Sequence, residues 1–187
     1  MDRTPKRVLF NGRTSASQAD DVGSIPITRS IPSIVDDASG NNVPEVAIRS
    51  VRNSDGRNLV EIKNTHGPTQ SNTLWFSAGH TAHGMTAVAD GDGNTVPEVA
   101  LLARRDSDGS ILVEAKNAAG ATAPMQKRFS DGFSPLPEFY FLDDVDGNSV
   151  PEASVMLYRT TDGRIAIQRR NITGTSNTAD TWTSPEP

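Results

Sequence analysis

Asp90, Asp92, Asn94 and Glu98 stand at positions one, three, five and nine of one short stretch, Asp90-Gly-Asp-Gly-Asn-Thr-Val-Pro-Glu98. A tightly curled loop turns every second side chain toward its centre. This spacing therefore gathers oxygen atoms around one point, with the main-chain carbonyl of Val96 as a further donor at position seven. Calcium takes about six to eight oxygen ligands of this kind, carboxylates and carbonyls together. Gly93 relieves crowding at the bend. The arrangement returns as Asp144, Asp146, Asn148, the Val150 carbonyl and Glu152. It returns once more, with one carboxylate fewer, as Asp37, Ser39, Asn41, the Val43 carbonyl and Glu45. The missing carboxylate at Ser39 predicts the weakest site there. Without a metal, the same Asp and Asn residues would cap the bend through Asx turns, and spacing alone does not separate the two readings.

Other chemistry is thinly represented. The chain has no cysteine, which excludes disulfides, thiol catalysis and thiolate metal sites. His66, His80 and His83 lie in one Gly-rich stretch and have no counterparts later in the chain, so they read as surface-loop residues. The acidic pairs Asp36-Asp37 and Asp143-Asp144 could suggest a glycosidase, but neighbours on a strand point to opposite faces, and loop ligation suits them better. No nucleophile elbow, phosphate loop or dinucleotide fingerprint occurs. Arg104-Arg105 and Arg169-Arg170 read as solvated faces of edge strands.

These loops belong to a longer repeat. Their first residues are offset by 53 and 54, and the same offsets carry Asp55-Gly56 to Asp108-Gly109 and Asp162-Gly163, and Asn64 to Asn117 and Asn171. An aromatic returns late in each copy, at Trp75, Phe129 and Trp182, and reads as packing between copies, with sugar stacking as the alternative. Each copy reads as four short strands. In the second these are Met85 to Ala89, Val99 to Arg104, Ile111 to Lys116 and a strand near Met125 to Phe129, with Val113 and Ala115 inward and Glu114 and Lys116 outward. Asp-Gly marks the hairpin between the second and third strands. Connections are too short for crossover helices, so the sheets should be antiparallel. A single small sheet cannot bury both faces, whereas stacked copies can. The expected fold is all-β, tandem four-stranded antiparallel blades of a partial β-propeller: repeats over 32–84, 85–138 and 139–187, preceded by a segment, 1–31, that is a partial blade or non-native sequence. Gly23 to Ser30 resembles a translated transfer-RNA gene end.

The acidic loop followed by a short apolar strand resembles the FG-GAP or VCBS-type repeat of integrin-α-like propellers and bacterial surface proteins. Asp90, Asp92, Asn94 and Glu98 match that family's ligand positions, as do Asp144, Asp146, Asn148 and Glu152. The resemblance covers about residues 32–187. It implies calcium held in the loop between the first two strands of each blade. Three positions depart from the pattern: the family's glycine at position six is Asn42, Thr95 and Ser149 here, Pro fills position eight, and Glu replaces Asp at position nine. A different loop geometry is therefore expected.

A formal net charge of -5 argues against a nucleic-acid partner. Apolar residues at 35% and aromatics at 5% are lean for a globular core and suit short strands and many turns. No apolar run is long enough to span a membrane. The expected function is a non-catalytic, calcium-stabilised binding or scaffold module from a larger secreted or cell-surface protein, binding glycan or protein and self-associating to close the propeller. The alternatives are an accessory propeller of a glycan-active hydrolase or lyase, and a truncated reading frame.

Overall fold

A computed structural model describes residues 32–67, 71–120, 123–174 and 181–183, with backbone alone at 71 and 181–183. The expectations for residues 1–31 and for the side chain of Trp182 lie outside the described residues. These residues form strands and turns and no helix, so none is long and apolar enough to cross a membrane.

Among the described residues twelve strands make three sheets. The first holds β1 (Ser33–Val35), β2 (Glu45–Val51), β3 (Asn58–Asn64) and β4 (Ser71–Trp75). The second holds β5 (His80–Val88), β6 (Glu98–Arg105), β7 (Ile111–Asn117) and β8 (Met125–Arg128). The third holds β9 (Phe133–Leu142), β10 (Glu152–Arg159), β11 (Ile165–Asn171) and β12 (Thr181–Thr183). Each is an antiparallel meander whose strands lie in chain order. β6 and β11 are thus interior strands, not the edges expected from Arg104-Arg105 and Arg169-Arg170.

Each β2–β3-type hairpin turns on its Asp-Gly pair. Gly56, Gly109 and Gly163 have φ of 68°, 73° and 74°, which a side chain would resist. Arg52, Arg105 and Arg159 each clamp the Asp of this turn, at 55, 108 and 162, through two nitrogen–oxygen contacts. The Asp also accepts the N–H two residues on, from Arg57, Ser110 and Arg164 at 3.0–3.2 Å. The Arg52 hydrogen bond, against some desolvation, holds Asp55 down to about 2. This Arg-x-x-Asp-Gly signature repeats in the sequence at the offsets of the acidic loops.

The sheets stack in chain order. β5 packs on β1 and β3, and β9 packs on β5, β6 and β7. One core joins Val35, Ala47, Val60, Ile62 and Leu74 to Val99 and Leu101. The other joins Val88, Leu102, Ile111 and Val113 to Phe139, Val155 and Leu157. The three described sheets do not close into a ring. Because the middle sheet is covered on both faces, β7 is buried almost throughout, and Glu114, expected to point to solvent, is 3% exposed. It lies against the segment joining β4 to β5, where its Oε2 accepts the Ser77 N–H at 3.1 Å while Lys116 Nζ stands 3.3 Å from its Oε1. Gln168, 54 residues on, accepts the Ser130 N–H at 3.0 Å in the same way.

The first strand of the second sheet begins at His80, ahead of the expected Met85. A bulge between Ala82 and Gly84 separates the two parts. It admits the chain of β9: a Cβ on Gly84 would sit 2.1 Å from the Pro137 carbonyl oxygen. The late aromatics also fall differently. Phe76, not Trp75, is the counterpart of Phe129. Both are buried, and both donate their N–H to the third strand of their sheet, to Asn58 and Ile111. Trp75 instead has the Arg52 guanidinium stacked 4.6 Å from its ring centroid.

Candidate metal centre

Each acidic loop joins the first two strands of its sheet and ends on the first residue of the second strand. The closing residues Glu45, Glu98 and Glu152 are 2%, 0% and 0% exposed. Burial follows from strand alternation, because each Glu lies on the same face as the core residue two positions on: Ala47, Ala100 and, in the third sheet, half-buried Ser154. Each Glu reaches back to the N–H of loop position two. Ala38 donates to Glu45 Oε2 at 2.9 Å, Gly91 to Glu98 Oε2 at 2.6 Å, and Val145 to Glu152 Oε2 at 3.1 Å.

The residue at position one organises the rest of the turn. Asp90 Oδ1 accepts the N–H groups of Gly93 and Asn94 at 2.8 and 3.1 Å, and its Oδ2 accepts that of Thr95 at 2.9 Å. Asp144 does the same with Gly147, Asn148 and Ser149 at 2.7, 2.9 and 2.7 Å. In the first loop Asp37 accepts from Asn41 and Asn42. The backbone N–H of Ser149, against some desolvation, and those of Asn148 and Gly147 hold the Asp144 carboxyl below its ordinary value. At Asp37 desolvation pushes up but is outweighed by the N–H groups of Asn42, Asn41 and Gly40 and the Ser39 hydroxyl. Asn41, Asn94 and Asn148, expected as ligands at position five, each accept the N–H two residues on at 2.8 Å, which is the Asx turn of the metal-free alternative.

These turns bring three carboxylates together twice. One oxygen each from Asp90, Asp92 and Glu98 lie within 4.8 Å of one another, and so do one each from Asp144, Asp146 and Glu152. Two oxygens bound to one calcium at about 2.3–2.6 Å stand at most roughly 5 Å apart, so both clusters have the spacing of a shared ion. The first loop, with Ser39 between Asp37 and Glu45, forms no such group. In the second loop Glu98 Oε1 is buried and has no hydrogen-bond partner. Burial pushes the Glu98 carboxyl up to about 7 against the pull of the Gly91 N–H, and the charges of Asp92 and Asp90 add to the shift. A buried oxygen left unpaired among carboxylates is what a bound dication would relieve. The donor set, all oxygen and mostly carboxylate, fits calcium.

Positions six and eight each have a defined place in the turn. Asn42, Thr95 and Ser149 adopt φ of 61°, 69° and 64°, the conformation glycine would supply there. A side chain in place of glycine therefore carries torsional strain at this position. The Pro at position eight offers its carbonyl: Thr65, Ala118 and Ile172 donate to Pro44, Pro97 and Pro151 at 2.8–3.1 Å.

The remaining candidates are not assembled into a site. His66 is exposed. His80 and His83 lie on β5, not in a loop. His80 Nδ1 is 2.7 Å from the Ala78 carbonyl, and burial together with Arg104 and Arg49 holds His83 below its ordinary value. Asp36 and Asp143 are exposed outside the two clusters. The contact of buried Glu114 with half-buried Ser77, and its repeat in Gln168 with Ser130, was missed from the sequence, although the polar residue recurs at the repeat offset.

No protein-family model matches the chain, and neither a curated protein nor a solved structure matches it.

Proposed function

We propose that the chain is a non-catalytic, calcium-stabilised repeat module of the β-propeller type, each four-stranded sheet a blade, serving as a binding or scaffold element for glycan or protein. One observation carries the calcium reading. Glu98 Oε1 is buried and unpaired, and its carboxylate stands beside Asp90 and Asp92 in a loop whose counterpart gathers Asp144, Asp146 and Glu152 at the same place in the next sheet. A dication there would offset two of the three negative charges and tie the first two strands of each of these blades together. The stacking of the sheets in chain order through equivalent faces supports the blade reading.

Thermal unfolding in calcium and in chelator tests it. A ligand confined to the folded state adds about 2.7 kcal/mol per site at a hundredfold excess over its Kd. For a chain of this size each kcal/mol is worth roughly 2–4 °C. Asp92→Ala should remove part of the shift. An unchanged melting temperature at millimolar calcium would falsify the metal reading.

A further inference from the structure

Among the described residues the third sheet has one face with no sheet against it, and beside Ser154 and Arg169 that face is largely apolar. Cross-strand pairing and alternation put Tyr140, Leu142, Met156, Tyr158, Ile165 and Ile167 on it. Leu142, Ile165 and Ile167 are 37%, 37% and 38% exposed. Leu142, Met156, Ile165 and Ile167 stand 54 residues after Val88, Leu102, Ile111 and Val113. Those four are buried in the core that the second sheet makes with the third. The third sheet therefore carries the side chains of an inter-sheet contact with no sheet of the described residues upon them.

The first sheet is open on its opposite face. Ile34, Val46 and Ile48 stand 53 residues before Ala87, Val99 and Leu101, which pack against the first sheet from the second. Ile48 is 36% exposed, whereas its counterpart Leu101 is 1% exposed. The two open faces are thus the two halves of a contact the chain already makes twice, between its first and second sheets and between its second and third.

Resting on the blade reading above, we infer that the occupant of each open face is a second copy of this chain, bound head to tail, with the third sheet of each copy against the first sheet of the other. The number of sheets fixes the assembly. A head-to-tail contact either closes into a ring or runs on as a fibre, and propellers typically close at about four to eight blades. One copy has three sheets, two have six and three have nine, so two copies alone fall within the range. Two equivalent junctions then cover both open faces, the largely apolar one of the third sheet and that of the first, where Val46 and Ile48 lie beside Lys63 and Glu61; an exposed apolar patch marks an interaction surface.

Light scattering on the size-fractionated chain in calcium gives the first test, with twice the 20.0 kDa chain mass expected. Ile167→Glu and Ile48→Glu place a charge on the third-sheet and first-sheet faces. Both side chains are solvent-exposed, so each variant should keep the wild-type circular dichroism and run as a single chain. An equal mixture of the two variants retains one unaltered junction and should regain the doubled mass, which a contact of like faces cannot do. The pairing is overturned by a wild type of single-chain mass, by either variant keeping the doubled mass alone, or by a mixture that stays single, outcomes that assign the faces to residues 1–31 or to a different protein. Single-chain mass with an intact calcium shift overturns the pairing and leaves the calcium reading standing, whereas loss of both removes the two together.

Discussion

Thr95→Gly should stabilise the protein although it deletes a side chain. Thr95 is β-branched and sits at φ 69°, in the left-handed region. That conformation costs an L residue roughly 1–2 kcal/mol, and β-branched residues resist it most. Glycine removes this cost but adds about 0.5–1 kcal/mol of chain entropy lost on folding. The Thr95 N–H that donates to Asp90 at 2.9 Å is kept, and the side chain removed is exposed. The net gain is about 0–1.5 kcal/mol, centred on ~0.75, or a rise in melting temperature of roughly 1.5–3 °C at that centre for a chain of this length. Asn42→Gly at the same loop position should gain nothing, since Asn tolerates the region, and Ser149→Gly should fall between. The reverse control is Gly93→Ala. Gly93 has φ 79° with nothing within 4 Å of an added Cβ, so torsion alone should cost about 1–2 kcal/mol. Urea and thermal unfolding in chelator measure all four without a metal contribution. A lower melting temperature for Thr95→Gly, or a larger gain at Asn42 than at Thr95, would refute the view that these loops hold a glycine conformation under strain.

Three more outcomes are expected. Ser39→Asp completes a third carboxylate in the first loop, between Asp37 and Glu45, and should enlarge the calcium-dependent rise in melting temperature; an unenlarged rise removes the ligand assignment there. Glu114→Ala strands the half-buried Ser77 N–H and takes the carboxylate from Lys116, at a cost of about 1 kcal/mol, whereas Glu114→Gln should be nearly neutral because Gln168 fills the same role on Ser130; equal urea midpoints for the two variants would contradict this. Asp55 is held at about 2, below its ordinary 3.8, so its contribution is present above the ordinary value and is lost as pH falls toward about 2. The difference in urea midpoint between wild type and Asp55→Asn should accordingly close on acidification, and a difference that holds steady at low pH counts against the Arg52 clamp.

The parts of this protein that sequence exposes are those whose geometry is local. Alternate acids in Asp90 to Glu98 specify a curled loop, and Asp108-Gly109 specifies a tight hairpin, so strand order and the clustering of carboxylates follow from neighbours in the chain. What stacking decides is not written locally. Alternation along β7 places Glu114 opposite Val113 and Ala115, but only a sheet on either side makes both faces interior. The start of β5 was hidden for the same reason: Gly84 breaks the alternation because the β9 backbone passes against it. Trp75 and Phe76 are adjacent, and a one-residue difference in register decides which is buried.

The Glu at position nine shows how a departure from a familiar pattern can have a structural reason. It stands on the first residue of a strand and reaches back to the N–H of position two in all three copies, at 2.6–3.1 Å. Glutamate carries one methylene more than aspartate between the strand backbone and this carboxylate. That contact closes the turn from one end while the position-one Asp closes it from the other, so the path of the loop is set by the chain's own hydrogen bonds. The second oxygen is then left over: in the first two loops, Glu45 Oε1 and Glu98 Oε1 are buried without partners. Only the second of these faces two further carboxylates, because Ser39 takes the place of Asp92. A cation would therefore add charge compensation to a turn already formed, and its effect should appear in stability rather than in the course of the backbone.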